Sequence, residues 1–339
     1  MIFPKRAVIA AQVLVSVCSL GVAHITMAAV ESEVAFESVQ HERLFDAARH
    51  GDRIVAVGDL GLIMRSDDGG QTWRREKAPT DLALLGVTLL KDSIIVVGQT
   101  GLIMVHTESS GWKQVESGTP ERLIDVSGMD MGLVYAVGAF GTVLRSIDYG
   151  QTWENAAPDW LNIGDRDAGG GGLSGAAGEP SMYAIQTFAD GSALLGGELE
   201  FVLRSAGPCE PWEVVNQAQI SVNVIAPTIN ALNIRDDGVG FAVGQAGFLM
   251  STNDYGRSWV KVESPATRNL LAVASTDMGG VVAVGMREAV ASGDDGKTWN
   301  VLNNEDLKLN WYSDVISSSD PGQLLAVGHS ASIIRLNPQ

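Results

Sequence analysis

Along most of the chain, apolar runs of four to six residues alternate with short polar turns rich in Gly, Asp and Ser. The runs are dominated by Val, Ile and Leu, as in Leu123-Ile124-Asp125-Val126 and Leu270-Leu271-Ala272-Val273. Their length, their β-branching and their turn-bounded ends predict strands, not helices. The pattern also repeats. Ala56-Val57-Gly58 returns as Val96-Val97-Gly98, Ala136-Val137-Gly138, Ala242-Val243-Gly244, Ala283-Val284-Gly285 and Ala326-Val327-Gly328, with a weaker copy at Leu195-Gly196-Gly197. The seven closing glycines are spaced by 40, 40, 59, 47, 41 and 43 residues. After each comes a second apolar run, such as Leu62-Ile63-Met64 or Phe248-Leu249-Met250, then a polar turn and, in six copies, a tryptophan. Four strands per unit of about 40 residues make a propeller blade, so the chain reads as an all-β, seven-bladed β-propeller of four-stranded antiparallel blades.

The turn before the tryptophan is the most specific motif. Ser66-x-Asp68-x-Gly70-x-Thr72-Trp73 recurs as Ser146-x-Asp148-x-Gly150-x-Thr152-Trp153, as Thr252-x-Asp254-x-Gly256-x-Ser258-Trp259 and as Ser292-x-Asp294-x-Gly296-x-Thr298-Trp299. Degenerate copies end at Trp112 and Trp212. This is the Asp-box, or BNR repeat, a hairpin between the third and fourth strands of a blade. Its Asp and Ser/Thr side chains can bond turn backbone, its Gly allows positive φ, and its Trp can pack between blades. Regular recurrence in a tight turn assigns these carboxylates a structural role.

The blades are expected at 44–77, 84–115, 123–154, 182–215, 229–262 and 270–301. The last unit, from Trp311, has only three strands before the chain ends. Val34–Val39 precedes Leu44-Phe45-Asp46 as Trp112–Glu116 precedes Leu123-Ile124-Asp125, with Phe36 in the tryptophan slot. The N-terminal strand is therefore expected to complete blade seven and close the ring, which removes exposed sheet edges.

Composition adds an address and excludes some functions. Lys5 and Arg6, the apolar stretch Ala7–Ile25 and Thr26-Met27-Ala28 read as a signal peptide over 1–28, with periplasmic delivery; an uncleaved anchor is the alternative. Residues 29–339 then form a single propeller domain. Removal of the signal peptide lowers the basic residues from 23 to 21 against 40 acids, a net charge of −19. Such acidity offers nucleic acid no electrostatic grip. Cys209 is left alone, so no internal disulfide forms. The scattered histidines have no metal-ligand spacing, and neither a metal nor a cofactor is expected. The mature chain is expected to be monomeric.

Function should lie where the repeat breaks. One break is the insertion between blades three and four, 157–180, with Asp159, Trp160, Asp165, Arg166, Asp167 and four consecutive glycines from Gly169. It reads as a partner-binding arm or as a tolerated loop. A second is the set of turns after each repeat glycine, expected to ring the channel mouth: Asp59, Gln99, Phe140, Glu198, Glu200, Gln245, Arg287, Glu288 and His329. The third is arginine at one strand position, Arg65, Arg145, Arg204 and Arg335, where other units hold Val105, Ser251 and Ala291. These arginines either form a carboxylate-binding patch or pair with neighbouring acids. No catalytic residue is expected.

The run from Gly58 to Trp73, repeated from Gly138 to Trp153, resembles the photosystem II stability/assembly factor family of BNR-repeat propellers, over roughly 33–339. The resemblance implies a non-enzymatic assembly factor that binds newly made membrane-protein subunits, with arginines as the contact patch. Arg65, Arg145, Arg204 and Arg335 match that slot, and blades two, five and six depart from it. Many similar proteins occur in non-photosynthetic bacteria, some of them beside exporters of the resistance-nodulation-division type, and the signal and acidity suggest that branch. The partner implied is a membrane protein or membrane-associated complex. The competing reading is a glycan-binding or glycoside-hydrolase-like Asp-box protein. Glu198, Glu200 or Asp165 would then face another acid across a cleft lined by Trp160 or Trp311. The Phe/Tyr-Arg-Ile-Pro motif of sialidases is absent.

Overall fold

A computed structural model describes residues 32–36, 40–163, 179–218 and 226–338. The export segment 1–28 and residues 164–178 of the insertion, Asp165, Arg166 and Asp167 included, lie outside the described residues. Seven four-stranded antiparallel sheets are present. Six are sequential in the chain, from Leu44–Lys77 to Leu270–Val301. The seventh joins the two ends of the chain: Tyr312–Ser317, Leu324–Gly328 and Ile333–Leu336 are completed by Ser32–Phe36. The ring closes as expected.

One detail differs. Glu33 stands opposite Arg335, as Glu154 stands opposite Arg145 and Glu213 opposite Arg204. The tryptophan slot, one residue earlier, is therefore filled by Ser32 and not by Phe36, which pairs with Ile333 nearer the axis. Ser32 accepts a hydrogen bond from Asn304, the cap of a short helix, Glu305–Leu309. Leu302 and Leu307 fill the apolar space between blades six and seven.

The core is distributed over the seams. Seven apolar clusters each join one blade to the next, such as Val57, Ile63 and Leu84 between blades one and two. The second strands are almost wholly buried because a neighbouring blade covers each face. This accounts for their unbroken Ala/Val/Ile runs. The repeat glycine follows from close approach. A Cβ at Gly58 would lie 1.8 Å from the Arg43 carbonyl oxygen, and one at Gly244 2.0 Å from that of Thr228. The chain entering each blade passes directly over this glycine.

The Asp-Gly-Trp turns are built as the motif predicts. Ser146 Oγ accepts the Gly150 N–H at 2.9 Å, and Asp148 accepts the N–H of Thr152 at 2.9 Å together with the hydroxyls of Ser146 and Thr152. Trp153 Nε1 donates to the Gly150 carbonyl at 3.0 Å. The turns at Asp68, Asp254 and Asp294 repeat these bonds. Donated bonds, led by that of the Thr72 hydroxyl, hold the Asp68 carboxyl down at about 2.

Candidate functional site

The turns joining second to third strands all lie on one face, opposite the Asp-Gly-Trp turns. All seven place their second residue at positive φ: Leu60, Thr100, Phe140, Leu199, Ala246, Arg287 and Ser330. None of these is Gly, Asn, Asp or His, so intrinsic backbone preference does not explain the set. The flanking backbone does. The following residue's N–H bonds the chain entering the next blade, as in Gly61 to the Leu82 carbonyl, Gly141 to Pro180 and Glu200 to Pro227. The second side chain is thereby turned outward, and Leu60 and Phe140 are each 65 % exposed. Met286, on the blade-six turn, is exposed as well.

Polar side chains at the first and third turn positions mostly bond the chain beside them. Gln99 Oε1 accepts the Ala83 N–H at 3.0 Å, Glu198 Oε2 that of Ser181 at 2.9 Å and Gln245 Oε1 that of Thr228 at 3.2 Å. Asp59 pairs with Arg43, and Glu288 accepts the N–H groups of Thr267 and Arg268. Buried Glu200 pairs with Lys261 of blade five at 2.9 Å. His329 lies beside the Ser330 hydroxyl. Most of the predicted polar ring is thus occupied in anchoring chain entries. Trp160 is withdrawn from the surface: it is 4 % exposed, and Nε1 donates to the Gly141 carbonyl at 2.9 Å.

The four arginines face four different seams. Arg65 pairs with Glu76 and with Glu108 of blade two, both at 3.5 Å. Arg145 donates Nε and Nη2 to Glu154. Arg335 donates to the Gly70 carbonyl of blade one at 2.7 Å and pairs with Glu33 at 4.0 Å. Arg204 Nε is buried with no hydrogen-bond partner among the described residues. No two share a seam, and the pairing alternative holds for three of them.

These turns do not form the channel wall. The channel, about 490 Å³, is lined by the first strands of the blades. Those strands expose an unpaired edge toward the axis, and its N–H groups need partners. Side chains of the preceding blade supply them. Asp314 accepts the Ala47 N–H at 3.0 Å, Asp46 that of Val87 at 2.6 Å and Asp125 that of Ile185 at 2.8 Å. Two positions further along, Gln186, Ser127 and Asn233 accept from Ile234, Thr187 and Ser275. Loss of solvation by the enclosing protein raises Asp125 to about 6 and Asp314 to about 7, and raises Asp46 well above the usual carboxylate range with further help from Asp314. Sequence reasoning missed this trio. Its one linear signal is Asp at the third position of first strands otherwise holding Gly86, Ala184, Ala231 and Ala272.

No family model matches the chain, and no curated protein sequence matches it. Among solved structures, it is similar to YCF48 bound to D1 peptide, with a TM-score of 0.66 and 16 % identity over 91 % of this chain and 95 % of that one. YCF48 from Cyanidioschyzon merolae gives 0.68 and 17 % over 91 % and 99 %. The WD40 β-propeller domain of Doa1 gives 0.62 and 11 % over 91 % and 98 %. At these identities the likeness is one of fold.

Proposed function

We propose that the chain is a non-enzymatic, exported propeller scaffold that holds a membrane protein, or a segment of one, on the face of its second-to-third-strand turns during assembly. The observation that carries this reading is the outward display of Leu60, Phe140 and Met286 on three of the turns, in a rim where Gln99, Glu198, Gln245 and Glu288 bond adjacent chain. Exposed apolar tips on a rigid rim suit a partner that brings apolar side chains of its own. The opposite face also exposes Met131, Ile147 and Met278, while its Tyr149 and Tyr255 donate to the carbonyls of Asp130 and Asp236 in the first-to-second-strand turns of the same blades. The propeller likeness to YCF48 bound to D1 peptide supports a protein ligand in preference to a glycan. The acids that a hydrolase would need, Glu198 and Glu200, are engaged with Ser181 and Lys261.

The test is capture from detergent-solubilised membranes with the wild type, a Leu60→Ser/Phe140→Ser/Met286→Ser variant and an Ile147→Ser control on the other face. The reading expects membrane proteins with wild type and control, and their loss with the triple variant at unchanged thermal stability. Equal recovery with all three would refute it.

A further inference from the structure

Four of the seven seams follow one rule, which fails between blades three and four. In four seams, an apolar side chain from the second strand of one blade seats on the glycine of the next blade's turn. Leu325 meets Gly70, Ile95 meets Gly150, Leu194 meets Gly256 and Phe241 meets Gly296. A Cβ on any of these glycines would come within 2.2–2.9 Å of that side chain. Between blades three and four both partners are replaced. Tyr135 holds the register of Leu325, Ile95, Leu194 and Phe241. Cys209 holds the glycine slot, four residues after Ser205 as Gly70 is four after Ser66. The close contact cannot form, and the seam opens into a cavity of about 480 Å³. That lies within the range of ordinary small-ligand pockets, about 300–1,000 Å³.

The polar groups lining this cavity converge from both blades. Tyr135 is only 1 % exposed, lines the cavity, and its hydroxyl has no hydrogen-bond partner among the described residues. Its ring packs edge-on against Trp212, with centroids 5.6 Å apart. Trp212 departs from its counterparts by donating across the seam to the Ala156 carbonyl at 2.8 Å, which braces the opening. Arg145, opposite Tyr135 in the strand register, gives Glu154 two of its nitrogens and leaves Nη1 without a partner among the described residues. Asp159 and Glu210 bring negative charge to the lining, between walls of Pro158, Pro208 and Pro211. The Cys209 thiol is exposed here, and no second cysteine among the described residues competes for it.

We propose that this cavity is a thiol–disulfide exchange site at which Cys209 takes up half of a small zwitterionic disulfide of the cystine class. Arg145 and the Tyr135 hydroxyl receive the carboxylate, and Asp159 and Glu210 the ammonium group. The Cys209 thiolate attacks one sulfur of the disulfide, and the S–S bond breaks. The departing half leaves with the bonding pair and takes a proton from water. Cys209 is oxidised to a mixed disulfide, and the departing half is reduced to a free thiol.

The test is intact-mass spectrometry of the purified protein incubated with cystine, cystamine (ammonium only) or dithiodipropionate (carboxylate only), each rate divided by that of the same disulfide with glutathione. Cystine should add one half-cystine per chain and react at least about tenfold faster, on that scale, than either comparator, a discrimination of roughly 1.4 kcal/mol. Cys209→Ser should abolish the adduct. Tyr135→Phe and Arg145→Gln should keep the adduct and its site but bring the cystine preference to within about twofold. Failure of Cys209 to react, or equal scaled rates for the three disulfides, would overturn the proposal.

Discussion

The carboxyl groups of Asp46 and Asp314 share a hydrogen bond across the seam between the first and seventh blades. A bond between two carboxyl groups requires a proton, and the enclosing protein favours keeping one. Each also accepts a backbone N–H from the next blade's inner strand, so the pair bridges three blades: Asp314 to Ala47 and Asp46 to Val87. This is also the seam beside which the chain ends meet without a covalent link.

The pair makes stability depend on pH in a defined sense. Asp46, Asp125 and Asp314 all titrate above the ordinary aspartate value in the fold, so the folded state binds more protons than the unfolded state. Their contribution is complete below about pH 4 and is lost as pH rises through about 6 to 7. Asp68 has the opposite sign, but its contribution is lost only as pH falls toward about 2. Thermal melts should therefore show lower stability at pH 8 than at pH 5. Asp46→Asn keeps an acceptor for Val87 and removes one charge, and should raise stability at pH 8 by about 2 kcal/mol with little change at pH 5. An unchanged pH slope in this variant would contradict the shared proton.

Ring closure should fail when the N-terminal strand is removed. A chain starting at 40 exposes the Ile333–Leu336 edge that Ser32–Phe36 covers. Unpaired edges recruit other chains. Size-exclusion chromatography should show oligomers or aggregates, and the melting temperature should fall. A monomer of unchanged stability would show that the strand is dispensable.

The turns should be sensitive in order of their internal bonding. Asp148→Ala loses an acceptor that satisfies Thr152 and Ser146 and should cost about 1–2 kcal/mol in urea unfolding. Gly150→Ala should cost more, about 2–4 kcal/mol. It adds a side chain at φ +81° and places its Cβ 2.9 Å from Ile95 Cδ1. The reverse order would mean that the hydrogen-bonded turn, and not the seat against blade two, governs this seam.

What was legible in the sequence is what is local. The repeat glycine, the Ser-Asp-Gly-Trp strings and the orphan last unit each sit within a few residues, and they specify blades, turns and closure. The tryptophan slot of blade seven was misread because Phe36 looks like its apolar occupant, whereas the register gives that place to Ser32. The axial trio was invisible for a different reason. Asp46, Asp125 and Asp314 are far apart in the chain and lie among apolar neighbours; only the closed ring brings them to one channel. The arginine row was visible as a strand position, but which acid or carbonyl faces each guanidinium depends on the next blade. Cys209 was legible as a lone thiol, and its replacement of a glycine becomes apparent only beside Tyr135.

The most direct measurement of the central claim is site-specific photo-cross-linking in intact cells. A photoreactive residue is placed at Phe140 on the proposed binding face, or at Ile147 on the opposite face, both exposed side chains of blade three. Cross-links to membrane proteins from position 140, and none from position 147, are the predicted result. No adduct from 140, or equal adducts from both positions, would contradict the assignment of this face to a membrane-protein partner.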